Sequence, residues 1–260
     1  MKSTFKIALV LFLIPLVSFT TLTKPKQEKS KTIKKEYSVS KDATVKLDNK
    51  YGNLNITTWD KNRVEITVTI TVKGNDAKTV EKKLDGIDVE FKATSDLVSA
   101  KTKFEKSSNT WSFWGKSKKT SYQINYTVKM PASNNVKLDN DYGNIQLNEL
   151  DGSADINCDY GKLLIGDLNN SKNTINIDYC NGSSINFMKS GSLNVDYSKI
   201  TIDKTDKVKV NSDYSDVTVD TANTVTLNAD YGSINVKDVK DITGNTDYVN
   251  VRLGTITNSL

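Results

Sequence analysis

The chain has 260 residues, of which 37% are apolar, a formal net charge of +5 and no histidine. That length allows one large domain or two modest ones, and the lack of histidine removes the commonest general base and the commonest transition-metal ligand together. Residues 1–135 carry 25 basic and 13 acidic side chains, whereas residues 136–260 carry 11 and 18, a split that points to two structural regions.

In chain order, Lys2 and Lys6 precede an apolar run, Ile7 to Val17, interrupted by Pro15. The run is too short to span a bilayer and sits at the extreme N-terminus, so residues 1–20 are expected to be a secretory signal. Export to the periplasm, the cell surface or the medium follows, with no transmembrane segment in the mature chain. Residues 21–36 are rich in lysine and read as a basic linker, solvated or in contact with an anionic lipid or polymer.

A first copy of a repeated motif occupies residues 37–56: Val45-Lys46-Leu47-Asp48-Asn49-Lys50-Tyr51-Gly52-Asn53-Leu54-Asn55-Ile56 matches residues 136–147 closely. Residues 57–131 then interrupt the repeat and are expected to form a strand-rich cap with one short helix. Strands are expected at Arg63–Lys73, Ile87–Ala93, Leu97–Glu105 and Ser121–Met130, and the helix at Asn75–Asp85, closed by Gly86. Within this region Trp111, Phe113 and Trp114 lie among Lys116, Lys118 and Lys119 in a Gly/Ser-rich stretch. Those residues are the candidate ligand contacts, since aromatic rings beside lysines suit stacking on a sugar ring or a nucleic-acid base; the alternative is that they fold back on the sheet or extend a hairpin.

Residues 132–260 carry the repeat proper. Tyr142, Tyr160, Tyr179, Tyr197, Tyr214, Tyr231 and Tyr248 recur every 17 to 19 residues, each preceded by aspartate: Asp141, Asp159, Asp178, Asp196, Asp213, Asp230 and Asp247. Three residues before six of these tyrosines stands an amide: Asn157, Asn176, Asn194, Asn211, Asn228 and Asn245. Apolar residues alternate at fixed offsets, the strand signature, and between the strands sits a polar turn containing Gly or Ser, where a positive φ is easy. The residue after the tyrosine is small in six of the seven copies, Val249 being the exception. The fold class expected is all-β, a parallel β-helix (solenoid) of 17–19-residue coils with an inserted α+β cap. Right-handed winding is the expectation from the usual hand of parallel crossovers. Stacked coils would align the amides in a hydrogen-bonding ladder. The aspartates would form an acidic column, each carboxylate accepting N–H bonds in its own turn or the column holding Ca²⁺.

Cys158 and Cys180 fall in adjacent repeats but three positions out of register, so free, buried thiols are expected. No triad, metal-ligand spacing or phosphate loop is present, and neither cofactor nor catalytic residue is expected. The enzymatic alternative is a polysaccharide lyase or glycosidase working with carboxylates, Lys or Arg.

The segments Leu47–Asp60 and Tyr126–Pro131, followed by iterated Gly-turn repeats, resemble the bacterial putative-adhesin β-strand-repeat family. The resemblance implies a single-stranded β-helix associated with the cell envelope and carries no active site across. The expected function is therefore a non-catalytic adhesin, scaffold or binding module, with envelope polysaccharide or a surface protein as partner and no nucleic acid.

Overall fold

A computed structural model of the chain describes residues 26–105 and 120–259. In chain order the elements are β1 (Gln27–Ser38), β2 (Thr44–Lys50), β3 (Leu54–Trp59), β4 (Arg63–Gly74), α1 (Ala77–Asp85), β5 (Ile87–Ala93), β6 (Leu97–Phe104) and β7 (Thr120–Pro131). There follow β8 (Asn135–Asp141), β9 (Ile145–Leu150), β10 (Ala154–Asp159), β11 (Leu163–Leu168), β12 (Asn173–Asp178), β13 (Asn181–Asp196) and β14 (Lys199–Ser259). Side chains alternate between core and surface along nearly every strand, as the period-two sequence pattern requires.

Consecutive repeats pair in parallel and in register. One interior row runs Leu47, Leu138, Ile156, Ile175, Leu193 and Val210. A second runs Ile56, Leu147, Ile165, Ile185 and Ile202. All are buried, and each such side chain contributes about 1.5–3 kcal/mol by leaving water. The long β13 pairs with β11 through its first half and with β12 through its second, which joins the two sets of parallel strands into one sheet.

The expectation of a parallel β-helix solenoid with an inserted α+β cap is corrected by this topology. The strands form one mixed, nearly closed, barrel-like sheet, ordered β1-β4-β7-β3-β9-β11-β13-β12-β10-β8-β2-β6-β5, with β14 on β13. Antiparallel pairs β1–β4, β4–β7 and β5–β6 extend it at both ends. Residues 57–131 do not sit over the repeats as a lid. β7 pairs in parallel with β3, and β6 in parallel with β2, so the insert continues the sheet edge to edge. The physical reason is that a strand edge bearing unpaired N–H and C=O groups is satisfied fully by another strand, and only poorly by a packed layer.

The basic run expected as a linker is also partly structured. Gln27–Ser38 forms the edge strand β1, with cross-strand ion pairs Glu28–Lys73 at 3.0 Å and Glu36–Arg63 at 3.1 Å. Lysines on such an edge oppose pairing with other chains. The helix α1 lies against β1 and β4 through Val80 and Leu84. Asp76 caps it by accepting from the Thr79 N–H at 2.8 Å.

Candidate functional site

Eight tyrosines stack in a single column: Tyr51, Tyr142, Tyr160, Tyr179, Tyr197, Tyr214, Tyr231 and Tyr248. Neighbouring ring centroids are 4.8–5.4 Å apart and the planes lie within 14° of parallel. Every one of these tyrosines has a positive φ, between 47° and 64°. The turn is expected to use Gly or Ser for a positive φ, but the tyrosine takes it in every repeat; of the glycines that follow a tyrosine, Gly232 also has a positive φ, at +136°, whereas Gly143 and Gly161 do not. Those glycines serve a close approach instead, because a Cβ on Gly143 would lie 1.9 Å from the Gly52 carbonyl oxygen, and one on Gly161 2.0 Å from that of Gly143. The tyrosine N–H groups are not wasted by the left-handed turn. Tyr142 donates to the Asp159 carbonyl at 2.9 Å and Tyr160 to that of Asp178 at 3.0 Å, in the next repeat each time.

At the head of the column, where the repeats meet β6 and β7, the aromatic cluster widens. Tyr51 meets Phe104 edge-on and Tyr122 at a tilt, each with centroids 6.0 Å apart, while stacking on Tyr142. Tyr51, Tyr122 and Tyr142 wall an open cleft of about 360 Å³, completed by Gly52, Asn53, Thr71, Lys73, Ser121 and Gln123. The Lys73 ammonium is paired with Glu28, so the cleft presents aromatic rings, amides and hydroxyls with little net charge. Gly52, one of its lining residues, is tied into a buried polar network. Asn49 Nδ2 donates to the Ile124 carbonyl at 3.0 Å and to Asn140 Oδ1 at 3.1 Å, and Asn140 Nδ2 donates to the Gly52 carbonyl at 3.1 Å. Thr102 Oγ1 donates to Asn49 Oδ1 at 2.9 Å and meets the Tyr126 hydroxyl at 2.8 Å. Burial pushes the Tyr126 phenol up to about 12, with the Thr102 bond opposing.

A larger cleft, of about 430 Å³, lies beside Trp59, Asp60, Glu149 and Asp151. There the indole is already engaged by Lys61, Arg63 and Lys129, whose charged groups lie 5.0–5.7 Å from its ring. The tyrosine cleft is thus the better candidate for a flat, hydroxylated ligand.

The other sequence-derived residues are placed as follows. Asn176 donates to Asn157 at 2.6 Å, Asn194 to Asn176 at 2.5 Å and Asn211 to Asn194 at 2.7 Å. Asn228 and Asn245 hold the equivalent positions further along, in β14. In the row formed by Lys50, Asp141, Asp159, Asp178, Asp196, Asp213, Asp230 and Asp247, only the first carboxylate has a salt bridge among the described residues, Lys50–Asp141 at 2.6 Å. The turn N–H groups bond to carbonyls, not to these carboxylates. Partial burial, then the neighbouring aspartates, raise the Asp159 and Asp196 carboxyls above their ordinary range. Among the described residues no group of three or more His, Cys, Asp or Glu side chains could hold a metal ion. Trp111, Phe113, Trp114, Lys116, Lys118 and Lys119, and residues 1–20, lie outside the described residues.

Sequence reasoning missed the cleft. Its signal was the pair Phe104 and Tyr122, which read only as strand ends, because nothing local announced that β6 and β7 would meet the first repeat. Cys158 and Cys180 are both free and buried. Their sulfurs nevertheless touch, at 3.6 Å; the register argument treated the two positions as facing apart, whereas both side chains point into the interior at the corner.

No protein-family model matches the chain, and no curated protein matches it. Among solved structures, a putative adhesin from Bacteroides fragilis is 13% identical, with 86% of this chain and 97% of that one covered and a TM-score of 0.45. A putative adhesin from Parabacteroides distasonis is 16% identical over 88% and 96% of the two chains, with a TM-score of 0.41. A putative lipid binding protein from the same organism is 12% identical over 88% and 96%, with a TM-score of 0.34. No helix of the described residues is long and apolar enough to cross a membrane.

Proposed function

We propose that this protein is an exported, non-catalytic binding module, an adhesin or envelope scaffold, that takes a sugar ring of an envelope polysaccharide into the cleft between Tyr51, Tyr122 and Tyr142. The observation that carries the proposal is the cleft's composition: three tyrosine rings beside Asn53, Thr71, Ser121 and Gln123. Apolar ring faces of sugars stack on aromatic side chains, and amides and hydroxyls exchange hydrogen bonds with sugar hydroxyls. No carboxylate lines this cleft, whereas glycoside hydrolysis ordinarily needs two; that argues for holding a glycan over cleaving it. The same ligand is proposed to be met by Trp111, Phe113 and Trp114 with Lys116, Lys118 and Lys119, in the segment joining β6 to β7.

The test is a panel of envelope polysaccharides and glycans offered to the intact chain and two variants. Tyr122→Ala is expected to weaken binding about tenfold or more, the usual consequence of losing one stacking ring. A variant with Trp111, Phe113 and Trp114 all changed to Ala reports on the second set independently. Unchanged binding by Tyr122→Ala removes the cleft from the proposal, and turnover of any polysaccharide overturns the non-catalytic reading.

A further inference from the structure

Cys158 and Cys180 are the only cysteines of the chain, and they lie in consecutive repeats, both with no exposed surface. Each occupies a position that other repeats fill without sulfur. Cys158 stands where Asn140 stands one repeat earlier. Asn140 donates to the Gly52 carbonyl, and the Cys158 thiol points at the Gly143 carbonyl at a longer 3.7 Å. Cys180 stands where Ser198 and Ser215 stand later. Those hydroxyls donate to the Asp196 and Asp213 carbonyls at 2.7 Å, and Ser215 also to the Val195 carbonyl at 2.9 Å, whereas the Cys180 thiol reaches the equivalent Asp178 and Cys158 carbonyls at 3.4 and 3.1 Å. Turn closure therefore does not require sulfur at either place. What the two thiols have that the other residues lack is each other, at 3.6 Å.

Their location adds a second observation. The ladder between β13 and β14 shifts register between Asn181 and Ser183, immediately after Cys180. Gly182 there takes a φ of +76°. This is the point in the stack where a repeat carries extra residues and the pairing is least self-correcting.

We propose that Cys158 and Cys180 form an intramolecular disulfide during folding, by thiol–disulfide exchange with an oxidised small-molecule or protein disulfide. One cysteine thiolate attacks the oxidant's disulfide, forming a mixed disulfide and releasing one oxidant sulfur as thiolate. The second cysteine thiolate attacks the mixed disulfide at the first cysteine's sulfur and releases the other oxidant sulfur. Two protein thiols become one disulfide, the oxidant's disulfide becomes two thiols, and the protons pass through solvent to the released thiolates. Closing the sulfurs from 3.6 Å to the bonded separation of about 2.05 Å joins two buried side chains of consecutive repeats that already meet. Burial sets the order of events. The oxidant reaches the thiols before the repeats close over them, and reductants are excluded afterwards. The bond would staple the Tyr160 repeat to the Tyr179 repeat beside the register shift.

The test refolds the reduced, unfolded chain in a buffer of glutathione and glutathione disulfide, and in parallel under excess reductant. Each sample is then denatured with an alkylating reagent and weighed intact. The oxidative sample is expected to take up no label until reduced, and then two. Its melting temperature should exceed that of the reductant sample by roughly 6–12 °C. Cys180→Ser, which copies Ser198, should melt at one temperature with or without oxidant. Two labelled thiols after oxidative refolding, or a wild-type melting temperature indifferent to oxidant, overturns the proposal.

Discussion

A tyrosine at positive φ is an unusual choice, and this chain makes it eight times. A non-glycine residue in the left-handed region costs roughly 1–2 kcal/mol. Three contacts offset that cost. The tyrosine N–H reaches the aspartate carbonyl of the next repeat, and the ring lies between two parallel neighbours, each worth about 0.5–1.5 kcal/mol. Tyr197 shows the balance cleanly, with stacking partners at 5.0 and 5.1 Å. Tyr197→Ala loses both ring contacts and keeps the backbone strain. Tyr197→Gly loses the same contacts and removes the strain. Urea unfolding should therefore show both variants destabilised, with glycine about 1 kcal/mol better than alanine; equal losses would mean the turn is unstrained. The column itself was legible from the spacing of Asp-Tyr pairs. Which residue bends the turn was not, because glycine after tyrosine satisfies two different demands, positive φ and close backbone approach, and sequence does not separate them.

Among the elements, the stacked strands differ in what their outward rows do. The amides from Asn157 to Asn211 bond along the row, but the row does not continue as amide towards β2. Its next register positions are Asp139, Asp48 and Lys101, where Lys101 pairs with Asp48. Asn194 sits inside the ladder, donating to Asn176 and accepting from Asn211. Asn194→Leu leaves one donor and one acceptor without their partners, and thermal unfolding should report a loss of about 1–2 kcal/mol. Asn157→Leu, at the end of the ladder, breaks one bond and should cost less; equal costs would mean that the ladder contributes nothing beyond burial. Alternation along residues 63–73 and 121–130 made β4 and β7 readable as strands. Their partners were not readable, because pairing joins residues far apart in sequence, such as Leu54 with Tyr126, and an edge strand carries no local mark of which edge it will cover. The cleft shared that fate, being lined by β4 and β7 of the insert and by the turns at Tyr51 and Tyr142 on either side of it in sequence.

Over the whole molecule, charge is where repetition becomes a cost. Faithful stacking places like carboxylates in adjacent repeats, and most of the row lacks a salt bridge of the Lys50–Asp141 kind. Asp139, Asp159 and Asp196 are all raised above the ordinary carboxylate range, first by partial burial and then by the aspartates beside them. A raised folded-state value means that the folded chain holds these protons more tightly than the unfolded chain. The corresponding stability is complete below the ordinary carboxylate range and is lost as pH rises through the raised values. Glu90 works in the opposite sense, since Lys92 and Lys103 lower it, but it is a surface group and its effect is screened. The net expectation is a melting temperature that rises as the pH is lowered from neutral towards the ordinary carboxylate range of about pH 4, opposite to the trend of a protein held by paired carboxylates. Added salt at neutral pH should act in the same direction by screening the row. Asp159→Asn combined with Asp196→Asn removes two of the three raised groups, and should lift the melting temperature at pH 7 while flattening its pH dependence. A wild-type melting temperature that falls steadily over that interval, or a double variant that melts lower at neutral pH, would mean that the aspartates stabilise the turns more than they repel one another.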